Sequence, residues 1–397
     1  MKIKCIFIIS NLNIGGPQKS LLALLDLIDY SIFDVYIYST KPGGTLKKYF
    51  NENINFIENK ELIEAINMPS NKPLWTLMTL LKKFEISILF NVFISYLKFF
   101  FLKKNMNQER QKIWKKFNHK LPHFEGKYDL AFGILGQSSY IINDLVESKK
   151  KYHWIRSDTR ILKRNEEIDA EYYKQLTGSL SVSEECRTIF NDIYPFMKNK
   201  TKTFYNYIPV NFYNQLPKET FKLDDDKISL ITVTRLDPLK GIDMAVEAAK
   251  ILSDKGYQFN WYILGDGKYK EKVLQMIKDN GVEKHFKLLG FQLNTLYYLN
   301  QADIFVHPSR TEGKSNAIDE AIYLEKPIVV TNFDTVDEQI THEYNGLISD
   351  MNGKSLSENI EQLFKNDELK KSIAAGNSEV NQNQINPNEF FKNLLRD

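Results

Sequence analysis

Between residues 228 and 330 the chain alternates short β-branched apolar runs with longer amphipathic stretches, and few folds can accept that order. Runs at 228–233, 259–264, 286–289, 304–306 and 328–330 read as strands. The stretches 242–252, 269–279, 293–299 and 317–324 read as helices. Strands that each need a helical crossover before the next pair in parallel, with helices covering both faces, so the expected class is α/β. The first half alternates more loosely, with strands expected at 6–9, 35–38, 129–134, 152–155 and 180–182 and helices at 20–28 and 139–146.

At 397 residues the chain exceeds one ordinary core, which implies two or three domains. The seam is expected at 206–226, around Pro209, Pro217 and the acidic run Asp224-Asp225-Asp226, which reads as a solvated linker rather than a metal site. A short helix is expected at 386–395, and no internal repeat is visible. With 43% apolar and 26% charged residues the chain is globular, and a net charge of +3 gives no sign of a nucleic-acid partner. Cys5 and Cys186 lie far apart and form no metal pattern with the six histidines, so both read as buried thiols in a reducing compartment. The apolar run after Lys4 ends at Ser10, too soon for a signal peptide, and reads as a first strand.

Residues 72–120 break the alternation. They carry eleven Lys or Arg against two Glu, interleaved with large apolar residues. Within them, residues 86–102 are strongly apolar but include Asn91 and Lys98, and their length is at the lower edge for a membrane span. Basic flanks favour an interfacial helix on an anionic leaflet; a buried helical hairpin with a solvated basic face is the other reading.

The segment 308–330 holds Glu312 and Glu320 on either side of an expected helix start at Ser315 or Asn316. Helical rise puts the two carboxylates about 8–12 Å apart, too far for the close pair of a retaining glycosidase. They suit opposite ends of a long ligand, with the amides of Ser315, Asn316 and Ala317 between them as an anion site. A nucleotide-sugar has that layout. A solvated helix face is the competing reading.

Arg235 and Lys240 follow an expected strand and precede a helix, so they should face an inter-domain crevice and hold a diphosphate. Gly15-Gly16, after the first strand, lacks the spacing of a dinucleotide fingerprint and reads as a turn allowing close phosphate approach. Leu264-Gly265-Asp266-Gly267 is either a similar ligand turn or a plain tight turn.

These motifs, RLDPLKG, LGDG, LLGFQLN and the E-x7-E segment, resemble the nucleotide-sugar-binding domain of family 4 retaining glycosyltransferases of the GT-B fold. GGPQKSLL, SVSEE and FYNYIP match more loosely and resemble enzymes of bacterial capsular or surface polysaccharide assembly. The resemblance implies two Rossmann-like α/β/α domains facing each other across a cleft. They would be an acceptor domain at 1–207 with a helical insertion at about 60–125, and a donor domain at 208–380. Residues 381–397 would form a helix packed back on the first domain.

It implies catalytic roles for Arg235, Lys240 and Glu312. Donor binding would fall to Gly15, Gly16, Gly265, Gly290, Phe291, Gln292, Gly313, Lys314, Ser315, Asn316, Ala317 and Glu320. Glu312 would contact the sugar, Glu320 the ribose, and the strand ending at Gly290 the base. On the acceptor side many relatives carry a histidine where this chain has Arg156, so His153, Arg156 and Asp158 are the candidates there. The reaction implied is retaining and needs no metal or other cofactor. The donor would be a UDP-sugar and the acceptor a glycan or lipid-linked glycan, handled by a cytoplasmic protein peripheral on the inner membrane face. A nucleotide-sugar epimerase and a non-catalytic nucleotide-sugar-binding partner are the alternatives.

Overall fold

The computed structural model describes residues 2–217, 221–224, 226–380 and 385–396, and Asp225 of the acidic run lies outside them. The chain forms two compact units, Met1–Pro209 with Asn386–Asp397, and Val210–Ile385.

The first unit is built on a seven-stranded sheet: β1 (Ile3–Ile9), β2 (Phe33–Ser39), β3 (Asn55–Ile57), β4 (Tyr128–Ile134), β5 (Ser148–Ile155), β6 (Gly178–Ser181) and β7 (Thr201–Thr203). Their order is β3-β2-β1-β4-β5-β6-β7, parallel throughout. The second unit has β8 (Ile228–Val233), β9 (Phe259–Leu264), β10 (Phe286–Gly290), β11 (Ile304–His307), β12 (Ile328–Thr331) and β13 (Leu347–Ser349), in the order β10-β9-β8-β11-β12-β13. Each order runs outward from one strand in both directions, so each sheet has a switch point, at β1/β4 and at β8/β11. In open parallel sheets, ligands bind beyond the carboxyl ends of the strands at such points.

Residues that alternation marks as strands become strands. The three it misses, β3, β7 and β13, have three residues each and lie at sheet edges. The first helix starts earlier than expected, at Gly16, because Pro17 fits the first helical turn and needs no amide partner there. The helix Pro387–Arg396 belongs to the first unit. Its Phe391 ring stacks on Phe132 at 5.0 Å and meets Phe7 at 6.2 Å, and the Tyr152 hydroxyl donates to the Leu394 carbonyl at 3.0 Å.

The basic segment forms three helices, Pro73–Lys82, Ile86–Leu102 and Met106–Phe117. Trp114 of the third is fully buried and its indole donates to Asp144 at 2.7 Å, which anchors the insertion to the sheet-covering helix Ser138–Leu145. Among the described residues no helix is long and apolar enough to cross a membrane.

Candidate functional site

The second unit's switch point is made by the loops after β8 and β11. After β8, Asp237 accepts the Leu239 amide at 3.0 Å and caps a short 3-10 turn, Pro238–Lys240. Gly241 ends that turn at φ +64°, and a Cβ there would lie 1.8 Å from the Pro308 carbonyl oxygen. Only glycine lets this turn sit against the strand of chain leaving β11. Further bonds hold the two loops together. The Arg310 amide donates to the Leu239 carbonyl at 2.8 Å, and the Arg310 guanidinium grips both oxygens of Asp243 at 2.8 and 2.5 Å.

That seam brings Lys240 and Glu312 into contact. The ammonium donates to Glu312 Oε1 at 2.6 Å, with each side chain only 14% exposed. His307, the last residue of β11, places Nε2 2.9 Å from the same oxygen and 3.3 Å from Ser315 Oγ, while its buried Nδ1 has no partner among the described residues. Burial by itself would raise the Glu312 pKa, but the His307 hydrogen bond and the Lys240 charge outweigh it and hold it at about 2. Glu312 is therefore a carboxylate throughout the physiological range. A lowered folded-state value stabilises the fold fully above the ordinary 4.5, and that contribution is lost as pH falls toward 2. We expect Glu312→Gln to flatten the loss of stability in this window by about 3 kcal/mol; thermal unfolding from pH 5 to pH 2 measures it, and parallel curves would refute it.

The Ser315–Ala317 expectation needs a correction. The helix Asn316–Tyr323 does begin after Ser315, whose hydroxyl accepts the Ile318 amide at 3.4 Å. The Ser315 amide, however, donates to Gln339 Oε1 and its carbonyl accepts from Gln339 Nε2, both at 2.9 Å. Gln339 thus occupies the amide that was expected to receive an anion. Lys314 is paired with Asp319, which also accepts from Gln339 at 2.7 Å. Gly313 is buried beside them.

Glu320 is 2% exposed and accepts hydroxyls from Tyr213 at 2.5 Å and Thr295 at 2.8 Å. Burial, with the nearby carboxylate, pushes the Tyr213 phenol well up, so it stays a donor. Two protein hydroxyls therefore engage the carboxylate that the resemblance reserves for ribose.

Gly265 has an internal explanation. The end of β9 lies on the backbone after β8, the Thr234 amide donates to Leu264 at 2.9 Å, and a Cβ on Gly265 would sit 1.7 Å from the Thr234 carbonyl. Of the two readings left open for LGDG, the tight turn is the one the backbone itself requires. Gly290 ends β10 at φ +69° and turns the chain so that Phe291 stands exposed. Gln292 beside it is fixed locally, donating to Leu289 at 2.7 Å and accepting from Tyr298 at 3.1 Å. Arg235 is exposed and has no ion-pair partner among the described residues.

In the first unit, Gly15 caps the helix after β1 with extended backbone, and Gly16 begins that helix. His153 is not an acceptor group: it is buried, bonded to Ser139 and stacked on Tyr173 at 4.9 Å. Burial, then the Arg164 charge, lowers its pKa to about 3, so it is a neutral core residue. Asp158 is engaged too, capping the Arg160 amide at 2.8 Å and bound by the Arg160 guanidinium. Arg156 differs. It donates to Asn206 at 2.7 Å and lies over the Trp154 ring, yet its Nε is buried without a partner and no carboxylate neutralises it among the described residues. Burial lowers its pKa to about 9, which leaves it charged at neutral pH.

His307 and Gln339 are the site residues that sequence reasoning misses. The only signal for His307 was a polar residue closing an otherwise apolar strand. Gln339 lies on a loop with no pattern at all. Among the described residues no three His, Cys, Asp or Glu side chains cluster as a metal-binding set.

Residues 215–379 match the family model "Glycosyl transferases group 1". An uncharacterized glycosyltransferase of Methanocaldococcus jannaschii, MJ1178, is 27% identical over 231 residues, 57% of this chain and 61% of that protein. The poly(ribitol-phosphate) alpha-N-acetylglucosaminyltransferase of Staphylococcus aureus is 26% identical over 222 residues, 55% of this chain and 43% of that protein. The chain thus spans less than two thirds of these relatives' lengths. Among solved structures, Anabaena HepE in complex with UDP and glucose superposes with a TM-score of 0.70 at 15% identity, covering 100% of both chains, which identifies the fold as that of GT-B glycosyltransferases. The Lys240, His307 and Glu312 cluster lies within the residues that match the glycosyl transferases group 1 model.

Proposed function

We propose that this chain is a retaining glycosyltransferase that moves a sugar from a nucleoside diphosphate, UDP first among them, to a bacterial surface glycan carried on a lipid at the cytoplasmic membrane face. The observation that carries the reading is the Lys240–Glu312–His307 contact at the β8/β11 switch point, with the exposed Arg235, which has no ion-pair partner among the described residues, on the same loop as Lys240. HepE binds UDP and UDP-glucose, and that supports the choice of nucleotide.

In the reaction the acceptor oxygen bonds to the anomeric carbon on the face the diphosphate leaves. The bond from that carbon to the phosphate oxygen breaks, and the acceptor proton passes to the departing phosphate. Arg235 and Lys240 balance the charge gathering on the diphosphate, with no metal required. Glu312, kept ionised by its neighbours, accepts hydrogen bonds from sugar hydroxyls when Lys240 turns to the phosphate. His307 keeps its carboxylate aligned meanwhile. Glu320, already engaged by Tyr213 and Thr295, would accept ribose hydroxyls beside them, since a carboxylate takes more than one donor on each oxygen.

The test is incubation of purified protein with a panel of UDP-, GDP- and TDP-sugars and a lipid-linked acceptor, with the new linkage read by NMR. Transfer with the donor's anomeric configuration supports the proposal. An inverted linkage refutes retention, and interconversion of free sugars without transfer refutes the transferase reading.

A further inference from the structure

Eleven of the 24 large apolar side chains that stand exposed among the described residues fall between Leu74 and Leu102, in two helices and the corner joining them. The helix Ile86–Leu102 has two apolar faces. Ile88, Val92 and Tyr96 point inward to the core, while Ile86, Phe90, Phe93, Leu97 and Phe100 repeat at helical spacing on the outside. The helix Pro73–Lys82 adds Leu74, Met78 and Leu81, one turn apart. Phe84, at the corner, is 87% exposed, and Phe101, at the far end, is 77% exposed. The buried hairpin expected as an alternative would cover these residues; here the outer face is bare.

The charge around this face selects the occupant. Lys82, Lys83, Lys103 and Lys104 are exposed at its two ends, and the one acidic residue from 73 to 104, Glu85, is paired with Lys120. Beside the corner, a cavity of about 630 Å³ is lined by Lys60, Lys83, His119 and Lys120 together with Glu61, which pairs with Lys83 at 3.2 Å, so the cations outnumber the one carboxylate there. Lys60 has no carboxylate partner among the described residues and lies over the Phe124 ring. A second copy of the chain would bring like charges together across the face. An anionic bilayer meets both properties, apolar wedge and basic rim.

We propose that the two helices and the Phe84 corner dock this chain in the interfacial layer of an anionic membrane, lying on it without crossing it, with lipid phosphates received by the lysines at the corner. This deepens the membrane half of the function proposed above and rests on it only for its purpose, since the surface would bind lipid whatever the reaction.

Flotation of the full chain with phosphatidylglycerol-containing vesicles tests it, with pure phosphatidylcholine vesicles as the reference. Binding should be at least tenfold stronger to the anionic vesicles and should weaken with salt. The triple variant Phe84→Ser, Phe90→Ser, Phe101→Ser should lose binding at least tenfold at unchanged Tm, because none of the three rings is buried. Wild-type protein that stays with the pellet, a triple variant that floats as well as wild type, or self-association abolished by the same substitutions would each overturn the proposal. Transfer to a soluble acceptor separates the two readings. If transfer persists while flotation fails, docking is refuted alone; if flotation holds with every donor inert, the transferase reading is refuted alone.

Discussion

Lys240→Met is expected to slow sugar transfer by about 10²–10³-fold, the usual effect of removing one group that meets charge developing in a transition state. The ammonium has two duties in this structure, and they predict different outcomes. It neutralises Glu312, with both side chains largely buried. It is also a cation on the loop where a diphosphate would lie. Breaking a buried pair from one side destabilises the fold, because the remaining carboxylate keeps its cost of burial. The double variant Lys240→Met, Glu312→Gln removes that uncompensated charge and should regain much of the lost Tm. It should nevertheless stay slow, with the affinity for free UDP reduced alongside the rate. Near-normal kcat/KM for Lys240→Met would end the assignment, and a double variant that recovers UDP affinity together with stability would reduce Lys240 to a support for Glu312.

Gly241→Ala should be among the most damaging small substitutions in the second unit, beside Gly265→Ala, whose methyl would meet the Thr234 carbonyl oxygen at 1.7 Å. At Gly241 the added methyl faces two obstacles, a left-handed backbone and a carbonyl oxygen at 1.8 Å. Strain of this kind costs of order 3 kcal/mol, which lowers the Tm of a unit this size by about 6–12 °C. Gly256→Ala is the control. It has a similar positive φ but nothing within 4 Å of the new methyl, so only the dihedral term of about 1 kcal/mol applies. Calorimetry on the two variants separates them, and equal Tm values would mean that the Pro308 segment yields freely. Activity should fall with Gly241→Ala, because the same displacement carries Lys240 away from Glu312.

The strands from β8 to β12 were legible because each is a short, mainly apolar run flanked by a helix of the right length. Lys240 and Glu312 were legible one at a time. Their contact was not, because it joins residues 72 apart through backbone bonds from Arg310 to the Leu239 loop. Side-chain accounting was the other gap. Sequence offers the Ser315 amide as an anion donor and His153 as an acceptor group, yet Gln339 takes the first and burial neutralises the second. Which face of the helix Ile86–Leu102 is bare could not be read either, since both faces are apolar and only the packing of Ile88, Val92 and Tyr96 decides which is turned inward.

The helix Pro387–Arg396 gives the first unit an unusual timetable. Phe7, Phe33 and Phe132 all contact Phe391, so part of one face of the first sheet gets its cover from a segment that follows the whole second unit in sequence. At a ribosomal pace of about 5–20 residues per second, that sheet waits on the order of 10–40 s for its cover. The nascent chain therefore exposes a ring of aromatic side chains while the second unit is still emerging, and the first unit, although begun first, is the one completed last.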